Sequence, residues 1–283
     1  MSNDASRVLV LGGTGLIGPF LLARLAAAGR PFTAVSRNPQ PAVAGGVWTT
    51  ADLEHVDVLP PADTAVSIAP IWLLPRALPL LQRAGVRRLV AVSSTSRFTK
   101  AGSPDQAERA VAAALAEGET ALSTFCEAHG MTWTILRPTL VYAEGRDANV
   151  SRLASLIRRL GVLPLYGRGE GRRQPVHADD VAGAALAALS SPAARDRAFD
   201  LPGGETLSYR AMVERVFEGL GRRPRIVSLP PPLWRAGFAL AAPLLPGAGA
   251  AMGARMAEDL VFDGEPARVA LGFNPRPFRP VLT

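Results

Sequence analysis

The tightest constraint on the fold is the stretch Val8-Leu9-Val10-Leu11-Gly12-Gly13-Thr14-Gly15-Leu16-Ile17-Gly18. An apolar β-branched run ends in glycines, and a helical apolar pattern begins at once. The pattern predicts a strand over 7–11 and a helix over 16–28, so the glycines fall on a strand-to-helix turn. Gly13, Gly15 and Gly18 fit the G-x-G-x-x-G spacing, and Gly12, Gly15 and Gly18 fit a wider-spaced form. Gly12 and Gly13 permit a tight turn. Gly15 lets backbone approach a pyrophosphate, and Gly18 lets the helix pack close on the strand. Free N–H groups and the helix dipole at such a turn hold phosphate charge. Thr14, Leu16 and Ile17 join Gly12, Gly15 and Gly18 as candidate dinucleotide contacts.

Further strands are expected over 32–35, 47–53, 64–69, 88–93 and 130–138. Helices are expected over 73–84, 107–129, 148–160, 181–189 and 208–220, the second of these weakened at Gly118. Strands alternating with helices predict an α/β fold, a Rossmann-type doubly wound parallel sheet, with ligands outside the carboxyl ends of its strands. Gly12, Arg37, Asp52, Ala69 and Ser94 fall at those ends, and Ala69 counts as a cofactor-side residue. An NAD site would carry an acid about 20 residues past the glycines. Here that place reads Ser36-Arg37-Asn38, which offers a guanidinium and no carboxylate. A 2′-phosphate suits Arg37, so the expected cofactor is NADP(H), with NAD(H) as the alternative.

At 283 residues, one large domain or one and a half is expected. Hydrophobic residues make up 48% of the chain, ample for a core. The net charge of +7 is almost wholly arginine, since Lys100 is the only lysine. These arginines are scattered, with no basic tail and no interleaved aromatics, so nucleic acid is not an expected partner. Anionic small molecules explain part of the charge. Cys126 is the only cysteine, which excludes an intrachain disulfide and a cysteine metal site. It reads as a buried thiol. His55, His129 and His177 lack metal spacing. The opening residues show no apolar signal segment, and a cytoplasmic setting is expected. Residues 236–254 carry no charge and are long enough to test as a membrane span, but prolines and glycines interrupt them. Buried helices or a substrate lid are the expectation there, with membrane contact through 234–252 (Trp234, Phe238, Leu240) as the lesser alternative.

The chain resembles the extended and atypical short-chain dehydrogenase/reductase superfamily, and most of all its NAD-dependent epimerase/dehydratase proteins. The resemblance rests on Gly12–Gly18, Asp52-Leu53, the serines over 93–96, the segment 136–142 (Leu-Arg-Pro-Thr-Leu-Val-Tyr) and the segment 175–182 (Pro-Val-His-Ala-Asp-Asp-Val-Ala). It implies a dinucleotide-binding domain over 1–145 with parts of 175–205. A smaller substrate-binding portion would take 146–174 and 206–283. By the same resemblance Asp52 and Leu53 stand at the adenine, and Ser94 or Thr95 at the reacting carbon. Pro138 and Tyr142 stand beside the nicotinamide, and Arg173 at a substrate diphosphate. His177 looks structural, bonding across to the Arg-Pro segment.

One departure outweighs these matches. The superfamily's proton relay is Tyr-x-x-x-Lys, in which an ammonium lowers the tyrosine pKa from about 10. Tyr142, Tyr166 and Tyr209 are the only tyrosines, and none has lysine four places on. Glu119 matches the glutamate that follows the pair in relatives, which puts the pair at Val111 and Leu115, both apolar. Three readings stay open. The first is an atypical NADPH-dependent oxidoreductase whose proton comes from Tyr142, a serine hydroxyl or water. The second is a non-catalytic NAD(P)-binding redox sensor or assembly protein, and the third is a sugar-nucleotide epimerase or dehydratase. The expected partner is a small molecule, anionic or nucleotide-linked, bound by a monomer or homodimer.

Overall fold

The apolar run at 8–11 forms the centre of the molecule. In the computed structural model, which describes residues 7–230, 232–234 and 255–282, all four of its side chains are buried. This strand, β1 (Val8–Leu11), leads to α1 (Gly18–Ala27), β2 (Phe32–Ser36), β3 (Gly46–Thr50) and β4 (Thr64–Ser67). A 3-10 turn at Ile71–Leu73 precedes α2 (Leu74–Arg83) and β5 (Arg88–Val92). Next come α3 (Ser96–Thr99), α4 (Gln106–Ala128), β6 (Thr132–Pro138) and β7 (Val141–Tyr142). Then follow α5 (Val150–Leu160), β8 (Leu163–Tyr166), β9 (Arg172–Arg173), β10 (Val176–His177), α6 (Ala178–Ser190) and β11 (Arg197–Leu201). The chain continues through β12 (Leu207–Ser208), α7 (Tyr209–Gly219), β13 (Ile226–Leu229) and α8 (Glu265–Leu271).

Seven strands form one parallel sheet in the order β3-β2-β1-β4-β5-β6-β11, the Rossmann-type doubly wound arrangement. Strand order reverses between β1 and β4, and a ligand crevice belongs outside the carboxyl ends there. Pleating sends alternate side chains to opposite layers. Val8 and Val10 pack with Leu21 and Leu25 of α1 and Val181 and Ala185 of α6. Leu9 and Leu11 pack with Leu74 and Leu78 of α2 and Leu122 of α4. Leu21 and Leu25 are fully buried, and such side chains contribute about 2 kcal/mol each. A further core lies outside the sheet, where Ile157 of α5, Leu165 of β8, Val216 and Phe217 of α7, and Phe278 meet.

Some boundaries differ from expectation. Helix α1 starts at Gly18, with proline in its first turn, so 14–17 stay in the phosphate-side turn. Strand β3 stops at Thr50, and Asp52-Leu53 belong to the following turn. Gly118 does not weaken α4. A Cβ there would come 2.9 Å from the Ile71 carbonyl oxygen, so the glycine lets α4 lie against the 3-10 turn. The uncharged stretch 236–254 lies outside the described residues, apart from its flank at Trp234, which is buried beside Tyr166. Among the described residues no helix is long and apolar enough to cross a membrane.

Candidate active site

The glycine turn has the three close approaches that its spacing implies. Gly12 has φ +81°, and a Cβ on it would sit 2.5 Å from the backbone nitrogen of Ala69, where β1 and β4 part. Gly15 donates its N–H to the Gly12 carbonyl at 2.9 Å, and its own Cβ position is solvent-facing except for that oxygen. A Cβ on Gly18 would collide with the Gly13 carbonyl oxygen at 2.0 Å. Ile17 is buried, Leu16 half-buried and Thr14 exposed. No side chain caps α1, and no acid occupies its first turn. The helix start therefore presents positive dipole unopposed by the chain's own carboxylates, which fits a pyrophosphate. Sequence reasoning missed Trp48. Its indole reaches past Ala34 to within 3.1 Å of where a Gly13 Cβ would stand, so a side chain at 13 would press on the ring.

Arg37 is exposed beyond the end of β2. The hydroxyl of Ser36 accepts the Asn38 N–H and the Gln40 amide at 3.3 Å, which fixes the loop carrying Arg37. Asp52 accepts the Glu54 N–H at 3.1 Å and pairs with His55 Nδ1 at 3.0 Å. These bonds hold its carboxyl below the ordinary value. Leu53 is buried with the α2-side core, and Ala69 lies under Gly12.

At the ends of β5 and β6 the structure builds a cluster that the sequence reading did not foresee. Glu119 of α4, 2% exposed, accepts the Ser93 hydroxyl at 2.6 Å. It also accepts Arg137 Nη2 at 2.6 Å, and Arg97 closes on the same carboxylate. Both guanidiniums lie over the Phe98 ring, at 5.1 and 5.2 Å. Asp200 of β11 approaches Arg137 at 3.8 Å, and burial pushes its carboxyl upward. The signal for the cluster was the pairing of a mid-helix glutamate with the arginine of 136–142, but only the sheet order brings them together.

Among the predicted hydroxyls, Thr95 donates to the Pro138 carbonyl at 3.3 Å and is buried. Ser94 is half-buried, and its Oγ accepts the Ser96 N–H at 3.1 Å, which leaves its proton for an incoming oxygen. Pro138 ends β6, buried. Tyr142 requires correction as a proton donor. It is 1% exposed, packed edge-on against His177 and Phe278 at 5.0 and 4.9 Å. Burial first, then the Glu144 charge, raises its pKa, so the hydroxyl keeps its proton. Val111 is partly exposed on α4, whereas Leu115 faces the core. Lys100 pairs with Glu108 at 3.7 Å.

Arg173 lies 5% exposed, stacked on Tyr209. Its guanidinium donates to the carbonyls of Arg172 (2.8 Å), Glu258 (2.6 Å) and Arg255, so three of its five N–H donors serve the chain's own backbone. His177 lies opposite Tyr142 in the parallel β10–β7 pair, which joins it to the Arg-Pro segment, and its ring bonds Glu144 at 3.0 Å. Its Nδ1 accepts the Asp179 N–H and caps α6, so its proton sits on Nε2. Cys126 is fully buried, and burial pushes its thiol up to about 12, which suits an inert core thiol.

Sheet order and glycine cradle together define a Rossmann-fold NAD(P)-binding protein. Residues 74–201 match the family described as NAD dependent epimerase/dehydratase. The NAD(P)H azoreductase of Xenophilus azovorans is 29% identical over 237 residues, covering 78% of this chain and 77% of that one. The mitochondrial NADH dehydrogenase [ubiquinone] 1 alpha subcomplex subunit 9 of Arabidopsis thaliana is 32% identical over 162 residues. That match covers 56% of this chain and only 37% of the plant subunit. Among solved structures, MoeE5 in complex with UDP-glucuronic acid and NAD superposes with a TM-score of 0.74 at 22% identity. The superposition covers 96% of this chain and 94% of MoeE5, a likeness of fold.

Proposed function

We propose that the chain is an NADPH-preferring oxidoreductase that works without the Tyr-x-x-x-Lys pair. The end of β2 carries this reading, where Arg37 is exposed, its charge felt at Asp52 only as the weakest of several influences, and Ser36 fixes its loop. A guanidinium there favours a 2′-phosphate, and the missing acid disfavours a bare ribose diol. When bound, the dinucleotide supplies or accepts a hydride. The chain's own residues do the rest. Gly12, Gly15 and Gly18 with the start of α1 hold the pyrophosphate, and Thr14, Leu16 and Ile17 shape the turn. Leu53, Asp52 and Ala69 border the adenine half. Thr95 ties β5 to the Pro138 carbonyl and fixes the floor at the nicotinamide end, while Ser94 presents a hydroxyl to the substrate.

The family relationship keeps an epimerase reading in view, and MoeE5 takes a UDP-sugar. Two observations weigh against it for this chain. Arg173, the residue matched to the diphosphate contact, is buried and gives three of its five N–H donors to backbone carbonyls. Epimerisation also begins by removing a hydroxyl proton, and none of the three tyrosines has lysine four places on, while Tyr142 is buried with its proton held. The test is Arg37→Asp. Selectivity should move from NADPH toward NADH by at least tenfold in the affinity ratio. An unchanged ratio removes Arg37, and the NADPH preference with it.

A further inference from the structure

We propose that the face formed by the end of α5 and the loop between α7 and β13 docks on an anionic lipid surface, with its arginines on the headgroup phosphates. The inference does not depend on the dinucleotide site. It begins with where acids are missing. Residues 148–169 contain no Asp or Glu, and neither do residues 219–257. The two stretches are far apart in sequence, yet the parallel β8–β13 pair sets them side by side, from Leu163 opposite Ile226 to Tyr166 opposite Leu229. The Leu163 N–H donates to the Arg225 carbonyl at 2.9 Å, and Arg222 Nη1 donates to the Ile157 and Arg158 carbonyls at 3.0 and 3.2 Å. The loop before β13 therefore lies against the last turn of α5. Arginines that look scattered along the chain are gathered there.

Part of this charge has a structural use. A helix C-terminus attracts cations, and Arg222 serves α5 in that way. Arg158 donates to the Leu282 carbonyl and holds the end of the chain. Arg159, Arg223 and Arg225 are surplus to these tasks. All three are exposed, and among the described residues no group partners their side chains. Acids bounding the two stretches are engaged away from this face. Asp147 accepts from Asn149 and Ser151 at the start of α5, and Glu170 pairs with Arg168 at 3.9 Å. Glu218, exposed at the end of α7, is the acid that borders the arginines in sequence.

Aliphatic side chains stand among these cations. Leu160, directly after Arg159, is 53% exposed, and Val227, two residues beyond Arg225, is 47% exposed. Leu233, at the far end of the same two-stranded ribbon, is 60% exposed. From there the sequence runs into the uncharged stretch 236–254. Cations interleaved with aliphatics suit the boundary of an anionic bilayer, where guanidiniums meet phosphates and the aliphatics leave water. A nucleic acid would satisfy the cations alone, and among the described residues of this face no exposed aromatic offers stacking for bases. The chain would lie on the surface, since no described helix is long and apolar enough to cross it.

The experiment sediments the full chain with vesicles of phosphatidylcholine alone or of equal parts phosphatidylglycerol and phosphatidylcholine. Binding to the anionic vesicles should be at least tenfold tighter than to the neutral ones, and should weaken as salt is raised from about 0.05 to about 0.5 M. Each arginine near such a surface multiplies affinity about fivefold. Joint replacement of Arg159, Arg223 and Arg225 by Gln should therefore weaken binding at least thirtyfold. Arg76, Arg83 and Arg87 are also exposed, with no side-chain partner, on and after α2. Replacing those three by Gln removes the same net charge and should cost threefold or less. Leu160→Ser with Val227→Ser should weaken binding at least threefold. All these side chains are exposed, and thermal unfolding checks that each variant folds. Absent or equal binding to the two vesicles, an equal loss in the two arginine variants, or tighter binding to a DNA duplex than to anionic vesicles overturns the proposal.

Discussion

The Ser93 hydroxyl donates to Oε1 of Glu119 across 2.6 Å, joining the end of β5 to the middle of α4. Arg97 and Arg137 complete the same buried carboxylate, so one side chain ties α3, α4, β5 and β6 together behind Ser94. Removing one partner of a buried pair leaves charge without compensation, at a cost of about 3–5 kcal/mol. Glu119→Gln should therefore lower the urea unfolding midpoint substantially. A change below about 1 kcal/mol would mean that the arginines find other partners.

The glycines separate stability from binding. Gly18→Ala places a methyl 2.0 Å from the Gly13 oxygen and should destabilise the fold as well as abolish dinucleotide binding. Gly15→Ala meets only the Gly12 oxygen, at 3.2 Å, on the exposed side. It should leave thermal stability nearly intact and weaken NADPH binding at least tenfold. Equal binding by Gly15→Ala and wild type would remove the turn from the phosphate site.

Arg173 holds a strap. Besides its own bonds to the carbonyls of Arg255 and Glu258, the Gly171 N–H donates to the Met256 carbonyl at 3.1 Å and the Leu260 N–H to Arg172 at 2.9 Å. Arg173→Met should speed hydrogen exchange at the Gly171 and Leu260 amides, read by mass spectrometry, with no ligand present. Unchanged exchange would return Arg173 to the pool of ligand contacts.

Acid should loosen the C-terminal segment. Burial raises Asp179, but hydrogen bonds from Arg24 and Arg276 outweigh it and leave the carboxyl lowered. Glu205 follows the same pattern, with Arg215 and the Phe278 N–H as its donors. A lowered carboxylate adds stability that is complete above its unfolded value, 3.8 for Asp and 4.5 for Glu, and disappears as pH falls through the folded value. Unfolding midpoints should therefore hold steady from pH 7 to about 5 and drop below about 4. Arg276→Ala should shrink that drop, because Asp179 loses one of the two guanidiniums that lower it.

The sheet was legible because its signals are local. A β-branched run closing on glycines needs no distant partner to be recognised, and neither does the absence of a carboxylate after β2. Trp48 shows where local reading stops. Its role needs β3 beside β2, so that Trp48 shares a face with Ala34 and can reach Gly13. Glu119 was visible as a motif residue, yet its arginines come from 22 residues before and 18 after, joined only by the fold. Tyr142 misled because a tyrosine after a strand looks available, while the segment that buries it arrives at Phe278. Arg173 misled for the same reason, since the carbonyls that claim it belong to 255–258.

The central claim is that the glycine turn and Arg37 form a working dinucleotide site, and a titration of the purified chain with NADPH and NADH in parallel tests it directly. Saturable binding of both, with NADPH at least tenfold tighter, is the predicted result. No binding of either at millimolar concentration, or a preference for NADH, would contradict it.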